Sequence, residues 1–261
     1  MRSKLLWVCM GCFSVLSTAL LFSPASWLAQ VVETQTQGRI ILGDAQGSLW
    51  HGSAFIGGAA SRSEAVTPLL PGRFTWKLSP LVLIGKVDLM LDNPAALSAP
   101  VHVSGNWSQW QVAATSINMP AERLVALGAP LNTLQPTGDM RLSWNDLQVE
   151  RQKGRIAVAG LMTLDLVAMS SRLSPVKPLG SYQMTMALSD SQNEQHASIV
   201  LKTISGAMLL DGNGKLVNGR LQFSGTAQAA DGQEEKLANL LNLLGQRRQQ
   251  NGKTVIGLEF S

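Results

Sequence analysis

The residues best suited to chemistry in this chain are its three histidines, its two cysteines and two of its three Gly-Lys dipeptides, and their spacing argues against each. His51, His102 and His196 are far apart, and none has a second ligand three or four residues on, so no zinc site is indicated. Gly252-Lys253-Thr254 has the ending of a phosphate loop, but Arg247 stands where the leading glycine belongs. Gly214-Lys215 fails the same test, with Leu209 before it and Leu216 after it. No Gly-x-Ser-x-Gly elbow offers a serine nucleophile. Cys9 and Cys12 both fall in an apolar run near the N-terminus, so the rest of the chain carries no thiol and needs no disulfide. No residue pairs a nucleophile or base with a partner, so the sequence predicts no catalytic residue, no metal, no cofactor and no small-molecule substrate.

The informative signal is instead a repeated element. Residues 78–91 (LSPLVLIGKVDLML) and 173–186 (LSPVKPLGSYQMTM) each run from Leu-Ser-Pro through a glycine into alternating apolar and variable residues. Proline fixes φ and lacks a ladder donor, so it suits the start of a strand, and alternation at period two marks a half-buried strand. The expected architecture is all-β: a mainly antiparallel, curved sheet built from two related halves, roughly 37–134 and 135–261. Each half is expected to carry one short helix, at 120–128 and 232–245. In the first, Pro120 suits an initial turn and Gly128 a left-handed cap. In the second, Asp231 and Glu234 suggest a capping box, and Leu237, Leu240, Leu241 and Leu244 form one stripe, read as the face laid on the helix's own sheet. Asp211-Gly212-Asn213-Gly214 and Asn218-Gly219 read as hairpin turns.

The N-terminus suggests where this sheet resides. Arg2 and Lys4 precede an uncharged apolar run from Leu5 to Phe22, close to what a helix needs to cross a bilayer core of about 30 Å. Trp7 and Trp27 lie where an aromatic belt would sit, and the basic leader predicts a cytoplasmic N-terminus. The expectation is cytoplasmic residues 1–4, a spanning signal-anchor over 5–25 and a periplasmic domain over 26–261, with 30–36 as a linker. A cleaved signal peptide is the rival, since Ser23-Pro24-Ala25 has small residues at peptidase spacing; the length of the run favours an uncleaved anchor. Discounting Arg2 and Lys4 leaves 19 basic against 17 acidic residues with no basic cluster, which argues against nucleic acid as a partner.

Five tryptophans lie beyond the anchor region. Trp76 and Trp144 read as core fillers whose indole N–H groups reach neighbouring carbonyls. Trp107 and Trp110 flank polar residues and are the candidates for a partner contact. The runs Leu81–Ile84 and Ala207–Leu210 would suit the lining of an acyl-chain groove, and a membrane-anchored β-groove module handling lipid is the alternative function.

Taken in order, several segments resemble protein N of the bacterial type II secretion system. They are Gly-Ser-Leu-Trp-His-Gly-Ser-Ala at 47–54, Leu-Ser-Pro at 78–80, Leu-Gly-x-Pro-Leu-x-Thr-Leu at 127–134, Leu-Ser-Pro with Leu-Gly-Ser-Tyr over 173–182, and Leu-Leu-x-Leu-Leu-Gly at 240–245. The resemblance implies a single-pass inner-membrane accessory component with a periplasmic β-domain, no known catalytic residues, and other secretion components (the secretin or the inner-membrane platform) as partners.

Overall fold

A computed structural model describes residues 7, 10, 11, 14, 15, 18, 20–58, 66–128, 131–152, 155–191, 194–217, 220–250 and 253–260. Seventeen strands form one sheet in which every pairing is antiparallel. The order follows the chain closely, as expected of hairpin-linked strands. β1 (Ile40–Gly47), β2 (His51–Gly58), β4 (Phe74–Leu78), β5 (Lys86–Asp92) and β6 (Val101–Asn106) pair in succession, with the short β3 (Thr67–Pro68) on β2. β7 (Gln109–Val112) joins β6 to β10 (Leu147–Gln152), and β8 (Thr115–Pro120) pairs with β9 (Pro136–Trp144).

β11 (Arg155–Ser171) ties the sheet together. Its first residues pair with β10, and its later ones lie between β9 and β12 (Gly180–Ser191). At about 3.3 Å per residue, this 17-residue strand is about 55 Å long. Where β7 gives way to β8 and β9 to β10, side chains close the gap. Asp146 Oδ1 accepts the Ala114 N–H at 2.9 Å, and Trp144 Nε1 donates to the Ala113 carbonyl at 3.0 Å. β13 (Glu194–Gly206), β14 (Met208–Val217), β15 (Arg220–Ala229) and β17 (Lys253–Phe260) continue the meander, and β16 (Gln246–Gln250) ends it. Residues 115–120 and 136–144 pair directly, so the sheet runs without a break past residues 134 and 135.

Residues 7, 10, 11, 14, 15, 18, 20 and 21, the described part of the apolar run, are helical, and three α-helices follow among the described residues: α1 (Ala25–Gln35), the four-residue α2 (Leu131–Leu134) and α3 (Glu234–Leu244). Residues 30–36, expected as a linker, are largely helix. Ala25 and Leu28 recur at helical spacing and bury against Trp76 and Ala54 of the sheet, which outweighs the low propensity of Val31, Val32 and Thr34. The helix expected over 120–128 is a 3-10 turn, Ala121–Leu127, followed by α2. Gly128 ends it at φ 83° and ψ −157°, outside the left-handed helical region. α3 lies where expected, but its N-cap is Gln233 rather than Asp231, and Gly245 is extended, so no left-handed cap forms. Among the described residues no helix is long and apolar enough to cross a membrane, and Leu5 with much of the 5–22 run lies outside them.

Apolar residues collect on one face. α3 buries Leu237, Leu240 and Leu241 against Leu179, Tyr182, Leu201, Ala227, Ile256 and Leu258. Burial pushes the Tyr182 phenol well above its ordinary pKa, and its hydroxyl donates to the Met208 carbonyl at 3.0 Å. A second cluster centres on Phe74, Leu97 and Val101 with Trp144 packed against it. Asp211-Gly212-Asn213-Gly214 is strand interior rather than a turn, because the Phe223 ring lies over Gly212 and Gly214 and leaves no room for side chains. Asn218-Gly219 lies outside the described residues, between ladder partners Val217 and Arg220.

The register of the first repeated strand alternates as its sequence suggests: Val87, Leu89 and Leu91 are half-buried, while Lys86, Asp88 and Met90 are exposed. Leu89→Asp therefore loses about 3 kcal/mol of stability, the cost of placing a charge among apolar neighbours, while Lys86→Asp stays within about 0.5 kcal/mol. Denaturant titration of the two variants measures this, and equal losses would refute the register. In the second copy Met184 is half-buried, but so are Gln183 and Thr185, so burial does not alternate there. Ser181 is half-buried. Its Oγ accepts the Ala168 N–H at 3.0 Å, steadying the bulge at which Ala168 adopts φ 50°.

Candidate functional site

The most constructed feature is a clamp where the chain enters the sheet. β1 ends and β2 starts at one end of the strands, where β4, β6 and β10 also end and β5, β7 and β11 start. The segment leading from the apolar run arrives at this same end. Pro24 bridges to Ser48, the Leu49 N–H donates to the Ser23 carbonyl at 2.8 Å, and Trp50 Nε1 donates to the Leu20 carbonyl at 3.0 Å. Trp76 Nε1 in turn donates to the Leu49 carbonyl at 3.0 Å. Gly47, at φ 86°, makes the turn, and Gly52 leaves space that the Trp76 indole fills. Gly-Ser-Leu-Trp-His-Gly is thus the socket that holds residues 20–24 against the sheet. Sequence reasoning noted the motif and missed its role, because the partner carbonyls lie some thirty residues upstream.

The residues suited to chemistry are dispersed. His102 Nε2 lies 3.0 Å from Asp88 Oδ1 in an exposed pair with no third group, and His51 sits at the start of β2. The side chains of His196 and Lys253 lie outside the described ones. Arg247 Nε donates to Asn242 Oδ1 at 2.6 Å. Asn106 Oδ1 accepts the N–H groups of Ser108 and Gln109, a turn role. No group of three or more potential metal ligands occurs among the described residues.

Trp107 and Trp110 do not form one surface. Trp107 is 57% exposed in the β6–β7 turn, over Gly85, with Nε1 donating to the Val82 carbonyl at 2.5 Å. Trp110 is half-buried within β7, opposite Val149. The two runs expected to line a groove do not do so. Leu81–Ile84 belongs to a 3-10 turn beyond the strand ends, and Met208 with Leu210 packs into the core under α3. Of the expected anchor residues, Trp7, Phe22 and Trp27 are exposed.

The sheet's outer strands differ. Among the described residues β1 pairs only with β2 and β16 only with β17. β1 carries a register shift between Gly43 and Gln46, with Asp44 at φ 49°. Hydrogen bonds from Gln46 and then from Arg73 hold the Asp44 carboxyl below its ordinary pKa, and Arg73 also lies 4.4 Å over the Phe55 ring. A bulge of this kind obstructs strand addition. β16 is regular across all five of its residues, and Arg247 and Arg248 are exposed on it.

Comparison with curated proteins and with solved structures finds no match. Comparison with protein families matches residues 38–257 to type II secretion system protein N. That span runs from just before β1 into β17 and so takes in the clamp motif, both Leu-Ser-Pro copies and α3. With most of its length matched, the chain belongs to the type II secretion system protein N family.

Proposed function

We propose that this protein is an accessory inner-membrane component of the type II secretion system, acting as a periplasmic adaptor that helps assemble or stabilise the apparatus. Its N-terminus lies in the cytoplasm, the part of the 5–25 anchor that precedes the clamped residues 20–24 enters the membrane, and 26–261 stand in the periplasm. The family supports membership of the secretion system, and the apolar run with its basic leader supports the topology.

The observation that carries the adaptor reading is the regular, unpaired edge of β16. A sheet edge offers backbone donors and acceptors to an extended segment of a partner. Arg247, bonded to Asn242, and Arg248, paired with Glu259 at 2.8 Å, still leave positive charge on this edge, which discourages pairing with a second copy and favours an acidic strand, of the secretin or the inner-membrane platform. Replacing both with glutamate lowers co-purification with secretion components from crosslinked envelopes by tenfold or more, since one lost contact of about 1.4 kcal/mol is a factor of ten. Unchanged capture would remove β16 as the contact. Trp110, half-buried beside Val149, is a lesser candidate for the same role.

A second reading, lipid handling in a β-groove, draws on one observation. Met162, Met184, Met186, Leu142 and Leu164 share a face and are only half-buried, and methionine adapts to varied apolar ligands. Stoichiometric lipid retained through mild purification would favour it.

A further inference from the structure

The two Leu-Ser-Pro copies treat one matched apolar residue in opposite ways. In the second copy, Leu179 is 4% exposed and packs into the core beneath α3. Its counterpart in the first copy, Ile84, is 80% exposed. The whole turn Pro80–Ile84 buries none of its residues, with Leu81 and Leu83 also exposed. Trp107 extends this surface, since its indole bonds to Val82 and covers Gly85. Among the described residues nothing buries this apolar knob.

Its position names the partner. The turn joins β4 to β5 at the end of the sheet where the clamp holds residues 20–24, so it lies at the end through which the apolar N-terminal run enters. The second copy joins β11 to β12 at the opposite end of β11, away from the clamp, and there Leu179 is folded inward while Leu173 stays exposed. Trp27, in the first turn of α1 beside the clamp, is exposed as well. Exposed leucine, isoleucine and tryptophan, followed directly by Lys86, are the chemistry of a surface that enters the headgroup region of a bilayer.

We infer that Leu81, Leu83, Ile84 and Trp107 form a second membrane contact, inserted shallowly in the outer leaflet of the membrane that the N-terminal segment crosses. The domain is then held at two points, which fixes its orientation on the membrane rather than leaving it to swing on a tether. The inference rests on the reading of residues 5–25 as an anchor.

The test labels Ile84→Cys with an environment-sensitive fluorophore in a full-length Cys9→Ser, Cys12→Ser background. The protein is reconstituted into vesicles of phosphatidylethanolamine and phosphatidylglycerol. Leu173→Cys, at the other end of the sheet, is the reference, and Leu83→Cys replaces the Ile84 variant if circular dichroism shows that variant misfolded. The contact predicts quenching of the position 84 label by spin-labelled lipid and several-fold weaker quenching by aqueous iodide than at position 173. Equal iodide quenching at both positions, in protein that resists carbonate extraction, overturns the contact and leaves the anchor standing. Protein extracted by carbonate removes the anchor reading and the contact with it. Shielding that appears only in native membranes containing secretion components, and not in pure lipid, overturns the lipid contact in favour of a protein partner.

Discussion

Leu237→Asp unfolds the α3 end of the molecule. Leu237 is 0% exposed and sits among Ala227, Leu240, Leu241 and Ile256, with no polar partner for a carboxylate. Removing the side chain and burying a charge together cost on the order of 5 kcal/mol, comparable to the whole stability of many domains. Leu243 lies on the same helix at 67% exposure, and Leu243→Lys changes stability by no more than about 0.5 kcal/mol. Chemical denaturation of the full chain in mild detergent, followed by circular dichroism, separates the two. Similar losses would mean that α3 does not lay its leucine stripe on the sheet.

Gly206→Ala gives the second large loss by a different route. Gly206 has φ 138°, and an added Cβ would overlap the Cα of Gly180 and the Leu179 carbonyl, which are backbone atoms that cannot rotate away. Strain at this φ and the forced separation of β12 from β13 together cost about 3 kcal/mol. Gly232 also has positive φ, at 80°, but an added Cβ there meets nothing within 4 Å, so Gly232→Ala costs only the conformational part, about 1 kcal/mol. The difference between the two variants, measured by thermal melts, isolates the backbone approach at the start of β12. Equal effects would show that Gly206 is needed for its dihedral angles alone.

These two positions illustrate what the sequence made legible. The leucine stripe of α3 was readable because four leucines at helical spacing leave only one face to bury. The strand after the first Leu-Ser-Pro was readable because alternation survives where one face is covered, whereas in the second residues 183–186 are all half-buried. Other features depended on neighbours remote in sequence. Gly212 and Gly214 looked like turn residues, and only the Phe223 ring from the next strand explains why glycine stands in mid-strand there. Residues 246–250, Gln-Arg-Arg-Gln-Gln, carry no apolar alternation because an edge strand has little face to bury, so β16 went unseen. α1 was hidden by Val31, Val32 and Thr34, whose low helix propensity is outweighed by the docking of Ala25 and Leu28 on Trp76. The clamp motif was visible as a motif, but its partners at Leu20 and Ser23 were not. The contrast between Ile84 and Leu179 could not be read at all, since both follow the same Leu-Ser-Pro and differ only in what the fold brings over them.

The adaptor account requires that the free edge of β16 meet another protein of the secretion apparatus in the cell. Placing a photoreactive benzoylphenylalanine at Gln249 and irradiating intact envelopes tests this directly. The account predicts a covalent adduct with a type II secretion component, lost when Arg247 and Arg248 are both replaced by glutamate. Adducts with lipid alone, in cells where deleting the protein leaves secretion and assembly unchanged but alters envelope lipid content, would contradict it.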